Sequence, residues 1–531
     1  MAKNKNIQLS YKSLTEEQKQ DIAEIYLNKE LSWDVKEEML SEYTGRSSRT
    51  ARKWCEKLKL TKPSEVTSPQ YEDAKKKKIN KKKKRFLVTW AQNDTPVHEG
   101  LLSNMEVYAN HIDAEIHVIA GRYHNPTSIF SKKDETWHSR VIPYLDANRH
   151  KPHKFLEVLS DIKIQPTAVN PLNSMEGITG DASCIIGHPR HHMRPVPVLD
   201  VSKPKIMITT GACTVENYTD SKAGKKAEFH HILGFVIMEI EDKDIFHLRQ
   251  VSADDNGDFV DLIYSVNNGK VKSNKECDAL VMGDIHVGHH DDRVIDKTFE
   301  LFDFIKPKNV FLHDTLDFRS QSHHTKQNIF DQYQNHIDNK DDVGKEIDDV
   351  MLFLERFKKY NTYLVRGNHD EHLDRWLVDD ANLKGHKTPK NLLTYVKYAQ
   401  LIFEGKAKDG ILPYLINQKF KNIKALAIDE LLEINGVIYS EHGHSGPNGS
   451  RGSILGFRKL NKKIITGHSH TPMALDGAFS AGTSTHLRLP YSKKGASSWV
   501  NSHVITYSNG KRQHINFMHR KDGTISYTTL V

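Results

Sequence analysis

Five short groups of residues in the C-terminal half of the chain carry side chains that bind metal ions. They are Asp284-Ile285-His286, His313-Asp314-Thr315-Leu316-Asp317, Gly367-Asn368-His369-Asp370, Glu441-His442-Gly443-His444 and Gly467-His468-Ser469-His470. Carboxylate and amide oxygens are hard donors and imidazole nitrogens borderline ones, so the set suits divalent first-row cations. Together they can build a two-metal centre, which hydrolyses phosphate esters by in-line displacement. Mixed nitrogen and oxygen ligands with one amide oxygen favour Mn2+, with iron, zinc or magnesium as alternatives.

Short apolar runs stand before these groups and read as buried strands: Ala279 to Met282, Val310 to Leu312, Tyr363 to Val365, Gly436 to Tyr439 and Ile464-Ile465. The ligands therefore fall just past strand ends, where α/β sheets gather their sites. Residues 374–430 are helical in character and read as an insertion. His503 to Tyr507, a turn at Asn509-Gly510 and Gln513 to Met518 read as a hairpin.

The ordered pattern DxH, GDxxD, GNHD, HGH, GHxH resembles the calcineurin-like metallophosphoesterases over roughly residues 278–486. The resemblance implies a two-sheet sandwich flanked by helices. It also implies one metal on Asp284, His286 and His470, a second on Asn368, His442 and His468, and Asp314 bridging both. A bridging hydroxide would attack phosphorus. His369 would protonate the leaving oxygen, Asp317 would orient His369, and His444 would reach the phosphate or support His442. The chain departs from the pattern at His313, where glycine is usual and eases a tight turn. Within the superfamily the resemblance points to the SbcD-type nucleases, which are manganese-dependent dimers. The layout also resembles the pre-early first-step-transfer proteins of T-odd tailed phages, tied to destruction of host DNA.

Upstream, residues 86–270 read as an α/β domain of unassigned role. Phe86 to Trp90 and Ile116 to Ala120 form strands around a helix from Leu101 to His111, and Ile206 to Thr210 and Phe235 to Ile240 form two more. No P-loop or GxGxxG is present. His188, His191, His192, His230 and His231 lack companion carboxylates at ligand spacing and read as scattered surface residues.

Residues 1–62 read as a helix-turn-helix unit: Leu14 to Tyr26, Trp33 to Tyr43, a turn at Thr44 to Ser48, then a recognition helix from about Ser48 to Leu58. Ser47 or Ser48 caps that helix, and Arg49, Thr50, Arg52, Lys53 and Lys57 are free for DNA. A helical bundle that only mediates assembly is the plainer reading. Residues 63–85 form a polybasic linker. In its Lys75 to Arg85 run, Lys75, Lys76, Lys77, Lys78, Lys81, Lys82, Lys83, Lys84 and Arg85 repel one another and read as a mobile arm for phosphates. Residues 1–85 hold 22 Lys/Arg against 13 Asp/Glu, a net +9, while the other 446 hold 54 against 55, a net −1. The basic excess of this 531-residue chain is thus all N-terminal, which suits a nucleic-acid-binding arm on a neutral body.

No stretch is apolar enough for a membrane span, and no secretory h-region follows Met1. The four cysteines lack CxxC spacing, which suits a reducing cytoplasm, the host's if phage-encoded. The expectation is therefore a mixed α/β, metal-dependent DNase, a homo-oligomer, with residues 271–531 as the catalytic domain. A phosphatase or phosphodiesterase of small molecules or proteins, and a non-enzymatic DNA-binding regulator with a structural metal site, are the alternatives.

Overall fold

The computed structural model describes residues 9–28, 33–58, 69–125, 135–273, 277–321, 328–378, 389–489, 492 and 494–530. The linker residues 63–68 lie outside them. The chain folds as two compact units. The first comprises Met1–Asp73 and Lys132–Thr136, and the second spans Ala74–Ser131 and Trp137–Val531.

The first unit holds α1 (Glu16–Leu27), α2 (Trp33–Thr44) and α3 (Ser48–Lys57). Thr15 starts α1 with a capping box, its hydroxyl taking the Gln18 N–H while Gln18 bonds back to Thr15 N. Gly45 (φ 61°) makes the left-handed turn between α2 and α3. Ile22, Tyr26, Leu40, Ala51, Trp54 and Cys55 form the core. The apolar face of α3 is thereby used up, and Arg49, Lys53 and Lys57 stand exposed in one i, i+4, i+8 row. The three-helix arrangement expected from the sequence is present.

A short helix, α4 (Pro69–Ala74), leads to the second unit. There β1 (Arg85–Gln92), α5 (Glu99–His111), β2 (Ala114–Gly121), β3 (Leu145–Asp146), β4 (Arg149–His153), β5 (Leu156–Leu159), β6 (Ser183–Ile186), β7 (His192–Val196), β8 (Lys205–Thr209), α6 (Lys222–Phe229), β9 (Gly234–Ile240) and β10 (Phe246–Ser252) come first. A small sheet follows, of β11 (Phe259–Asp261), β12 (Tyr264–Asn267) and β13 (Lys270–Ser273). The second half runs β14 (Ala279–Val281), α7 (Asp292–Ile305), β15 (Asn309–His313), α8 (Ile329–Ile337), α9 (Val343–Leu354), β16 (Thr362–Val365) and α10 (Asp370–Val378). It continues α11 (Pro389–Phe403), α12 (Ile411–Lys419), β17 (Ile423–Ala425), β18 (Glu433–Ile434), β19 (Val437–Ile438), α13 (Ile454–Arg458), β20 (Lys463–Thr466), β21 (Met473–Leu475) and β22 (Ala478–Ser480). The hairpin β23 (Ser502–Thr506) and β24 (Arg512–Asn516) comes near the end.

Three larger sheets result, ordered β10-β9-β1-β2-β3, β17-β16-β15-β14-β23-β24 and β18-β19-β20-β22-β21-β7-β8-β6-β5-β4. The six-stranded sheet is buried on both faces, which is why its central strands read as unbroken apolar runs. Ala279, Val281, Phe311 and Val365 face a core shared with Ile185, Ile208, Ile465 and Phe479 of the ten-stranded sheet. Their neighbours Leu280, Val310, Leu312 and Leu364 face the opposite way, onto Val294, Leu301 and Phe302 of α7 and Ile347, Val350 and Leu354 of α9.

Three expectations need correction. Residues 86–270 do not close as a domain of their own, because β7 pairs with β21 (Met193 opposite Ala474) inside one continuous sheet. The Lys75 to Arg85 run is no free arm. Lys77 Nζ donates to the Pro143 carbonyl at 2.7 Å, Lys83 pairs with Asp113, and Arg85 donates to the carbonyls of Ile112 and Thr529. Ile79 packs against the core, and backbone acceptors with one apolar anchor hold the run despite its self-repulsion. His188, His191, His192 and His231 are buried, not superficial. His188, His191 and His231 each direct a ring nitrogen to a backbone oxygen, of Gln165, Thr210 and Thr214. Burial pushes His188 down to about 3 and His191 to about 4, so both are neutral hydrogen-bonding groups.

Candidate metal centre

Each of the five sequence groups lies just past a strand: Asp284 and His286 after β14, Asp314 and Asp317 after β15, Asn368 and His369 after β16, His442 and His444 after β19, and His468 and His470 after β20. Two sheets thus bring their strand ends to one place. The backbone turns sharply there. His286, Asp314, His468 and His470 all have left-handed φ (48°, 44°, 70° and 55°), a conformation that costs non-glycine residues energy and clusters at functional sites.

Asp284, His286 and His470 present ligand atoms within 4.8 Å of one another, and so do Asp284, Asp314 and His442. His470 Nε2 is 3.1 Å from His286 Nε2 and 3.2 Å from Asp284 Oδ2. Asp314 Oδ2 lies between the two imidazoles, 3.2 Å from His442 Nε2 and 3.7 Å from His286 Nε2. Asn368 Oδ1 and His468 Nδ1 meet at 2.9 Å, and His468 N–H donates to Asp284 Oδ2. Five of the seven expected ligands fall in these two groups, and Asn368 and His468 adjoin them through the bond from His468 N–H to Asp284.

Two observations test whether a cation fits. Asp284 Oδ1 and His442 Nε2 are buried without a hydrogen-bond partner among the described residues, a costly state unless another group completes them. Moreover, His442 Nε2 stands 3.2 Å from a carboxylate yet lacks hydrogen-bond geometry, so the two atoms do not aim at each other. Donors that approach closely while pointing past one another suit a shared cation.

The field agrees. Burial alone would depress the His286 imidazole, but Asp317, Asp314 and Asp284 outweigh it and raise it to about 9. Burial likewise opposes charge on His442, and Asp314 and Asp284 raise it to about 9. Asp284 would be raised by burial but is held at about 2 by His442 and His470. The carboxylates favour positive charge on the imidazoles, as they would on a divalent cation.

His313, where glycine was expected, ends β15 without strain, because the tight turn falls on Asp314 instead. Its Nδ1 lies 3.3 Å from His442 Nδ1, leaving His442 Nε2 as the nitrogen open to a cation. The histidine thus orients a ligand, as outer groups of metal sites commonly do. Asp317 differs from its expected role. Its carboxylate meets His286 Nδ1 at 3.0 Å and is 3.5 Å from His369 Nδ1. The group that holds His369 is the Asp317 backbone oxygen, 2.9 Å from Nδ1. A carbonyl only accepts, so Nδ1 carries the hydrogen and Nε2 is left for proton transfer. His444 pairs with Glu371 (Nε2 to Oε1, 3.5 Å), and no hydrogen bond joins it to His442 among the described residues.

Supporting residues escaped the sequence reading. Asp370 accepts from Leu316 N and Gly367 N, tying the second loop to the third. Its place inside the third group was the available signal. Glu346, on α9, accepts from Arg319 N, Ser320 N and the Ser320 hydroxyl and clamps the loop after Asp317. His503 Nδ1 accepts from Gly283 N beside Asp284. Nothing local in the sequence marks either.

Of the expected DNA contacts, Arg49, Lys53 and Lys57 share the exposed row on α3, Lys57 also lying over the Tyr11 ring. The Arg52 side chain lies outside the described residues. Lys78, Lys81, Lys82 and Lys84 are exposed on the second unit, and Lys82, Lys84 and Arg85 line a cleft with Lys297 and Arg520. No helix among the described residues is long and apolar enough to cross a membrane.

No model of a known protein family matches the chain, and no solved structure does. A relative exists among curated proteins: Protein A1 of Escherichia phage T5 is 32% identical over 472 residues, covering 83% of this chain and 83% of the relative. Likeness at that level across most of both chains extends well beyond the metal-binding loops, and the protein therefore belongs to the family of the phage T5 Protein A1.

Proposed function

We propose that the protein is a metallophosphoesterase of the calcineurin-like type that hydrolyses DNA phosphodiester bonds. The observation that carries this reading is the convergence of five strand-end loops on buried, incompletely bonded Asp and His donors. Asp284, His286 and His470 would hold one divalent cation, Asn368, His442 and His468 a second, with Asp314 between them and Mn2+ the preferred metal. Bound, such a pair supplies Lewis acidity and lowers the pKa of water toward neutrality. His369, its Nδ1–H held by the Asp317 carbonyl, delivers a proton from Nε2 to the leaving oxygen. Asp317 fixes the His286 ring, and His444 stands with Glu371 at the edge of the site.

DNA is the substrate the charge favours. The Arg49, Lys53 and Lys57 row and the exposed lysines between 78 and 84 supply phosphate contacts. The relative is a phage protein, and degradation of host DNA during infection is the role this reading assigns. Other copies of the chain belong to the reading as partners.

The test incubates purified protein with supercoiled and linear DNA in Mn2+, Mg2+ or chelator, beside a small chromogenic phosphodiester. Cleavage in Mn2+, abolished by chelator and by Asp314→Asn, is expected. Cleavage should also fall steeply with salt while small-diester hydrolysis does not, since only the polyanion releases counterions. DNA left intact throughout would end the nuclease reading. Hydrolysis of the small diester alone would favour a phosphatase or small-molecule phosphodiesterase.

A further inference from the structure

We propose that His117, Asp146 and His150 form a second metal site, separate from the five-loop centre, that takes zinc. His117 lies on β2, Asp146 ends β3 and His150 is on β4, and they are 2%, 0% and 6% exposed. Their ligand atoms all fall within 4.8 Å of one another. His117 Nδ1 is 3.2 Å and His150 Nε2 2.8 Å from the same atom, Asp146 Oδ2. Neighbouring ligands on a tetrahedral zinc with bonds of ~2.0–2.1 Å stand ~3.3 Å apart, so both spacings are close to those of a coordination edge.

Geometry and charge both call for a cation at this point. Despite the 2.8 Å approach, His150 Nε2 has no hydrogen-bond geometry toward Asp146 and no other hydrogen-bond partner among the described residues. It points past the carboxylate, as a second ligand of a shared ion does. Asp146 is wholly buried, and no lysine or arginine pairs with it among the described residues; besides the two imidazoles it meets the Asn148 N–H. A buried carboxylate without a cation is expensive. On the far side of His117, Glu115 Oε1 comes within 3.0 Å of Nε2 without hydrogen-bond geometry, which adds negative charge beside the cluster. Two imidazoles and a carboxylate at tetrahedral spacing select zinc over magnesium or calcium.

The same segment grips the lysine-rich connection. Ala147 N donates to the Ala74 carbonyl, and Asn148 Nδ2 donates to the Lys77 carbonyl. A metal here would fasten β2, β3 and β4 together beneath the turn that carries Lys75 to Lys84.

The test measures bound metal by plasma mass spectrometry in full-length protein whose five-loop centre is disabled by Asp284→Asn and Asp314→Asn. One zinc per chain is expected there, lost on further substitution His150→Gln. Absence of zinc in the first variant, or zinc retained in the second, overturns the site and leaves the cluster to protons. Should His150→Gln fail to fold, the Asp284→Asn/Asp314→Asn protein is stripped with chelator and titrated with Co2+. Uptake of one equivalent, with tetrahedral visible absorption and a higher melting temperature, supports the site; no uptake overturns it. Neither arm depends on DNA cleavage, so the nuclease reading stands or falls separately.

Discussion

A Cβ placed on Gly367 would lie 1.9 Å from Asp314 Oδ1, and one on Gly467 would lie 2.2 Å from Asp284 Oδ1. Both glycines are needed so that the loops can press backbone against ligand. Gly367→Ala should therefore displace Asp314 and weaken Mn2+ binding by at least ~10-fold, measured by calorimetry. His313→Ala removes the group beside His442 Nδ1 and should cost metal affinity about 10–100-fold with the fold retained by circular dichroism. Unchanged affinity would show that His313 only fills space. Glu346 carries a pH prediction. Burial, with Asp317 nearby, raises its carboxyl from 4.5 to about 7 despite the Ser320 hydrogen bonds. The folded state then holds a proton the unfolded chain has released. Stability from this group is complete below about 4.5 and is lost as pH rises through about 7. In metal-free protein, Glu346→Gln should flatten the fall in denaturant stability across that window, a difference on the order of 3 kcal/mol.

Helix α3 divides its surface between two tasks: Ala51, Trp54 and Cys55 close the first unit's core, while Arg49, Lys53 and Lys57 face solvent. Because Arg49 and Lys53 are exposed and lie outside that core, their charge can be changed without unfolding the helix. Arg49→Glu with Lys53→Glu should lower DNA affinity and flatten the dependence of log K on log salt by about 2, if each contacts one phosphate. Small-diester hydrolysis should stay at the wild-type rate. An unaltered salt slope would return this unit to the plainer reading, a bundle that mediates assembly.

Distant parts of the second unit meet at Arg249, a fully buried cation. Its guanidinium makes two 3.0 Å bonds to Asp261, from Nε and Nη2, and meets Glu239 at 3.0 Å. Tyr108 of α5 and Gln513 of β24 also bond to Asp261, and Thr528 near the C-terminus bonds to Glu239. Arg249→Met would leave two carboxylates buried without their cation, a loss of about 3–5 kcal/mol by thermal or urea unfolding. Since this cluster joins the five-stranded sheet to the hairpin and the chain end, one cooperative transition is expected for the second unit. Two separated transitions would restore an independent 86–270 domain.

What the sequence determined by itself was the set of short-range features. Strand-like runs before each ligand group, the Thr15 and Gly45 signals of the first unit, and the donor types at Asp284 through His470 depend on a few neighbouring residues each. The tertiary structure decided which partners those residues meet. That β7 pairs with β21, that His313 faces His442, that Asp317 lends its carboxylate to His286 and its carbonyl to His369, and that Lys77 and Arg85 are tied down all rest on contacts between remote segments. Burial does likewise: the same imidazole is a surface group or a neutral buried one according to the sheet that covers it, as at His188 and His191. Periodicity and spacing are local properties of the chain, whereas pairing and burial exist only once sheets from both halves have closed on one core.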